Sequence, residues 1–86
     1  MTWTVVWTRP ALHDLRRLDR QVEDRIRTAV RRLAETDQGD VTRLQGEDPP
    51  QWRLRVGDWR VRFRFEPGTS TMFVQRVLPR GQAYRD

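Results

Sequence analysis

The sequence predicts an α+β domain of order βααβββ, with a helical hairpin packed on a mainly antiparallel four-stranded sheet. Two stretches, residues 3–8 and 52–65, alternate apolar and polar residues with the two-residue period of strands. Between them, residues 11–34 carry apolar side chains at helical spacing. At 86 residues the chain is expected to be one domain, spanning 1–86.

The first strand places Trp3, Val5 and Trp7 on one face and Thr4, Val6 and Thr8 on the other. Pro10 suits the first turn of a helix, where its missing N–H costs nothing. Ala11, Leu12, Leu15 and Leu18 form that helix's stripe. Asp19 is the expected N-cap of a second helix, whose inner face is Val22, Ile26, Ala29, Val30, Leu33 and Ala34. Glu23 and Arg27 form a favourable i,i+4 pair on the outer side, and Gly39 is the expected stop. Residues 40–51 are expected to be a loop, punctuated by Gly46 and Pro49-Pro50. A hairpin follows at 52–65, and a last strand at 71–78 in which Phe73 and Val77 compete in phase with Met72, Val74 and Leu78. The tail, PRGQAYRD, is polar.

All 17 basic residues are arginine and stand against 12 acidic ones, a net charge of +5. Arginine keeps its charge and offers a planar fork of donors suited to phosphate and carboxylate. The balance favours a nucleic acid or an acidic protein as partner. The chain has no cysteine, which excludes disulfides and thiolate metal sites, and a single histidine, His13, argues against a zinc site. Neither a metal nor an organic cofactor is indicated. No unbroken apolar stretch exceeds three residues, against the ~20 of a membrane span. The N-terminus lacks the pattern of a signal peptide. The expectation is a soluble, cytoplasmic protein.

The stretch WRLRVGDWRVRFRF concentrates the chemistry. Gly57-Asp58 suits a two-residue turn, with the positive φ at glycine. Val56 then faces Trp59, Arg55 faces Arg60, Leu54 faces Val61, and Arg53 faces Arg62. Like charges directly opposite each other destabilise a sheet by up to ~1 kcal/mol a pair. Arg64 extends the row, and no acidic residue is expected on that face. The face is either a solvated one that is simply basic or, the favoured reading, a surface built for a polyanion, whose phosphates offset the repulsion. Trp52, Trp59, Phe63 and Phe65 fall on the buried side and are expected in the core.

The segments LQG…QWRLRVGDWRVRF and RGQAYR resemble the RelE/ParE superfamily of type II toxin–antitoxin toxins, over nearly the whole chain. In RelE-type members the resemblance implies a ribosome-dependent endoribonuclease that cuts mRNA. The substrate's 2′-hydroxyl attacks the adjacent phosphate and leaves a cyclic phosphate. Carried over by position, it implies catalytic roles for Arg55, Arg60, Arg80 and Tyr84. Arg53 falls on a basic hairpin position of the same resemblance, and the basic residues Arg53, Arg62, Arg64 and Arg76 are the expected RNA contacts, Arg76 being either a phosphate contact or simple surface charge. RelE-type toxins have lysines where this chain has Arg53 and Arg55. Arginine is a poor general base but can stabilise a pentavalent transition state, so the base is left unassigned. The spacing from Arg80 to Tyr84 is also shorter than in RelE. The alternative is a ParE-type poison of DNA gyrase that cuts nothing, and a third possibility is an inactive member that only binds its antitoxin. The implied partners are a cognate antitoxin, in a hetero-oligomer, with ribosome and mRNA (alternatively gyrase) as target. An acidic antitoxin segment is expected to cover the basic face, bury apolar surface beside the helices and order on binding.

Overall fold

The computed structural model describes residues 2–81. The elements follow in the order β1 (Thr4–Trp7), α1 (Arg9–Arg16), α2 (Arg20–Thr36), β2 (Asp40–Arg43), β3 (Trp52–Val56), β4 (Trp59–Glu66) and β5 (Thr71–Pro79). They build one mixed sheet of strand order β1-β5-β4-β3-β2, in which β1 runs parallel to β5 and all other pairs are antiparallel. The α+β class holds, with five strands where the sequence suggested four.

The additional strand is β2, inside the segment expected to be a loop. Its sequence, DVTR, has one apolar residue, Val41, which pairs with Leu54 and packs against the core. An edge strand that buries a single side chain has too short an alternation to stand out.

Helix α1 starts beside Pro10, and α2 starts where Asp19 Oδ1 accepts the Val22 N–H at 3.0 Å, as expected of its N-cap. Ala11 and Leu15 from α1, with Ile26, Val30, Leu33 and Ala34 from α2, meet Leu54, Val61, Phe63, Met72, Val74 and Val77 of the sheet in one core. Glu23 and Arg27 are paired at 2.8 Å. The end of α2 differs from expectation. The helix stops at Thr36, and Asp37 takes the left-handed conformation with φ 62° and donates its N–H to the Leu33 carbonyl. Gly39 serves close approach instead: a Cβ there would lie 2.9 Å from Leu54 Cδ1.

The competing phases of the last strand resolve into a bulge. Arg62 pairs with Arg76 but Phe63 pairs with Val74, leaving Gln75 as an extra residue on β5. Met72 and Val74 before the bulge, and Val77 after it, therefore all reach the core. Phe73 and Leu78 lie on the opposite face, in register with Arg64 and Arg60.

Beyond Val74, β5 loses β1 as a neighbour, and α1 takes its place. The Thr8 N–H and hydroxyl donate to the Val74 carbonyl, and the buried carboxylate of Asp14 accepts the Val77 N–H at 2.8 Å. Asp14 also accepts two bonds from Arg76, at 2.8 and 3.2 Å. Among the described residues, no helix is long and apolar enough to cross a membrane.

Candidate functional site

The β3–β4 register matches the sequence expectation at every pair, including Arg55 opposite Arg60 and Arg53 opposite Arg62. Strand β2 continues these rows, placing Asp40 opposite Arg55 and Thr42 opposite Arg53. The alternating side chains of three strands thus converge on one face. A polar cleft of about 230 Å³ opens there, lined by Asp40, Thr42, Arg53, Arg55, Arg60 and Arg80.

The Gly57-Asp58 turn organises the cleft. Gly57 has φ +57°, which L side chains rarely adopt. The turn's carbonyls then accept from both ends of the site. Arg60 Nη1 donates to the Gly57 and Trp59 carbonyls, each at 2.9 Å, and the Arg80 N–H donates to the Asp58 carbonyl at 2.9 Å. Arg60 is only 4% exposed, so its guanidinium is fixed in place before any ligand arrives. A guanidinium has five N–H donors. Those on Nε and Nη2 have no protein acceptor among the described residues.

The other arginines are placed differently. Arg62 is buried beneath the 44–51 loop, with Nη2 3.2 Å from Gln51 Oε1 and 3.5 Å from Glu47 Oε1. Arg64 lies over the Phe73 ring, 4.2 Å from its centroid. Arg76 is held by Asp14, beside α1 and outside the cleft. Of the residues singled out from sequence, the structure gathers Arg53, Arg55, Arg60 and Arg80, and leaves Arg62, Arg64 and Arg76 out of the cleft. Tyr84 lies outside the described residues.

The expectation of a face without acidic residues is corrected on two counts. Asp40 lines the cleft, and Glu47 approaches Arg62. Both sit in the segment expected to be a loop, where no face could be assigned to them. The signal that could have found Asp40 is the short alternation Asp40-Val41-Thr42, with its single apolar residue pointing inward.

A larger groove of about 570 Å³ runs between α2 and the β2–β3 edge. Ala29, Leu54 and Val56 form its apolar floor, flanked by Arg25 and Arg32 of α2. Asp40 and Arg55 line both the groove and the cleft, so the two concavities share a wall.

A family model described as the ParE toxin of the type II toxin–antitoxin system parDE matches residues 5–84. A comparison with curated proteins returns no match. Among solved structures, the chain is similar to one in an archaeal RelE–RelB complex from Pyrococcus horikoshii, with TM-score 0.79 and 23% identity over 95% of this chain and 99% of that one. It is also similar to a chain of a RelB–RelE antitoxin–toxin complex from Methanococcus jannaschii, with TM-score 0.73 and 19% identity over 93% and 95% of the two chains. A chain of the toxin–antitoxin complex RelBE2 from Mycobacterium tuberculosis aligns with TM-score 0.66 and 24% identity, over 93% of this chain and all of that one. These identities speak for a shared fold.

Proposed function

The chain belongs to the ParE toxin family of type II toxin–antitoxin systems, and from that premise we propose that it is a ribosome-dependent mRNA endoribonuclease, held inactive by a cognate antitoxin. The observation that carries this reading is the convergence of Arg53, Arg55, Arg60 and Arg80 on one small cleft, with Arg60 fixed by backbone carbonyls. Four cations at this density suit a phosphodiester, and a buried, pre-oriented guanidinium suits the extra charge that develops on phosphorus-bound oxygens in the transition state. In this reading Arg53 and Arg55 hold the RNA backbone from β3. Arg60 stabilises the pentavalent phosphorus, Arg80 closes the site from the end of β5, and Tyr84 orients a base. Arg62 and Arg64 support the face from below and beside the cleft.

The antitoxin is the second partner. RelE–RelB complexes share this fold, and the groove beside α2 offers apolar floor and basic walls to an acidic amphipathic segment. Because Asp40 and Arg55 belong to both concavities, a segment seated in the groove also obstructs the cleft.

A gyrase poison is the other reading, favoured by the ParE identity of the matching family model. Expression of the toxin in a bacterium separates the two. Protein synthesis should stop first, before DNA replication. Early arrest of replication with accumulated gyrase–DNA complexes would establish the second reading, and unimpaired growth would mark an inactive, antitoxin-binding member.

A further inference from the structure

Arginine binds phosphate but does not take a proton from a ribose hydroxyl, because its guanidinium stays protonated. The cleft is walled by four arginines, one threonine and Asp40. Among the described residues, Asp40 is therefore the one lining side chain able to act as a base. The lone histidine, His13, lies on α1, outside the cleft.

Three features set Asp40 apart from a charge that merely balances its neighbours. Its carboxylate takes part in no hydrogen bond or salt bridge among the described residues, although Arg55 stands directly opposite on β3. Its lone pairs are thus available. It occupies one cross-strand row with Arg55 and Arg60. Adjacent strands are about 4.8 Å apart, so the ends of that row are separated by about 10 Å, room for one phosphodiester and its ribose. Finally, a carboxylate in a cleft that binds a polyanion opposes binding, so a site that only bound RNA would have no use for it.

We propose that Asp40 is the general base of the ribonuclease reaction, an assignment that rests on the ribonuclease reading above. Its carboxylate accepts the 2′-hydroxyl proton as O2′ forms a bond to phosphorus. The bond from phosphorus to O5′ breaks, and O5′ keeps the electron pair and takes a proton from a solvent water. The hydroxide left behind recovers the proton from Asp40. The net change is transfer of one proton from O2′ to O5′, giving a 2′,3′-cyclic phosphate and a free 5′-hydroxyl. Arg55, next to Asp40 in the row, holds the carboxylate's side of the phosphate, while Arg60 faces the developing charge.

The test is single-turnover cleavage of mRNA on programmed ribosomes by the full-length toxin, its D40N and D40E variants, and R60A. Toxin binding is measured in parallel on ribosomes carrying mRNA with a 2′-deoxy nucleotide at the scissile position. Asp40→Asn should slow cleavage about 100-fold or more, the usual range for loss of a general base. Binding should be unchanged or tighter, since an anion has been removed. Asp40→Glu should recover a large part of the rate. Cleavage by D40N within about threefold of wild type overturns the assignment, and so does a loss of binding that accounts for the whole defect. If the wild type and D40N cleave alike while R60A is inactive, the ribonuclease reading survives and Asp40 alone fails. If the wild type leaves mRNA intact, the ribonuclease reading itself fails, and the role of Asp40 with it.

Discussion

On the helix-facing side of the β3–β4 hairpin, Leu54, Val61 and Phe63 enter one continuous core. On the other side, five arginines at the same alternating spacing end in four different environments. Arg53 and Arg55 line the cleft, Arg60 is held by the turn, Arg62 lies beneath the 44–51 loop, and Arg64 is on Phe73. The apolar side chains share one fate because burial is non-directional and any neighbouring apolar surface serves. Each guanidinium needs specific acceptors, so its position depends on what distant segments bring to it. Regular spacing therefore determines a core, but only tertiary context determines a site.

The contrast can be broken from either side. Phe63 is fully buried between sheet and helices. Phe63→Ala should cost about 3–5 kcal/mol of folding stability, measured by urea unfolding. A loss near zero would mean that the hairpin's apolar face does not anchor the domain. From the other face, Arg60→Ala should lower mRNA cleavage about 100- to 1,000-fold, the effect of deleting one pre-oriented transition-state donor. Undiminished cleavage would remove Arg60 from the chemistry.

Asp14 and Arg76 are charged residues whose mutual contacts tie α1 to β5. Asp14→Ala leaves the buried Val77 N–H without its acceptor and should cost about 1–3 kcal/mol of stability. The single-turnover cleavage rate of the folded variant should not change. Arg76→Ala should likewise leave cleavage intact, and a large defect would place Arg76 at the RNA. The smallest effects concern the salt dependence of binding. Arg53→Ala or Arg55→Ala should each flatten the slope of log affinity against log salt by about 0.7, the increment for one contact to single-stranded nucleic acid. Arg64→Ala, with its guanidinium on a ring, should change the slope less than either.

Much of the fold was legible because its signals are local. Asp19 caps α2 as its position suggests, and Gly57-Asp58 sets the hairpin register that aligns the arginine pairs. Less was legible where a feature depends on a distant partner. Gly39 resembles a helix stop, yet its lack of a Cβ answers to Leu54. The mixed phase of β5 follows from a bulge at Gln75 that appears only against β4. Within the candidate site, the four cleft arginines could be singled out from alternation and resemblance. Asp40 could not, because its strand buries one side chain and its membership of the cleft comes from pairing with β3. The separation of Arg62 and Arg76 from the cleft rests on Gln51, Glu47 and Asp14, none of which is close in sequence to the arginine it meets.

In the reading proposed above, the arginine cleft breaks a phosphodiester bond of mRNA. The most direct test is to add purified toxin to a translating extract and to identify the 3′ ends of the resulting mRNA fragments. The expected fragments end in a 2′,3′-cyclic phosphate, depend on Arg60, and disappear when equimolar antitoxin is present. Intact mRNA in the same extract, alongside cleaved DNA trapped on purified gyrase, would contradict it.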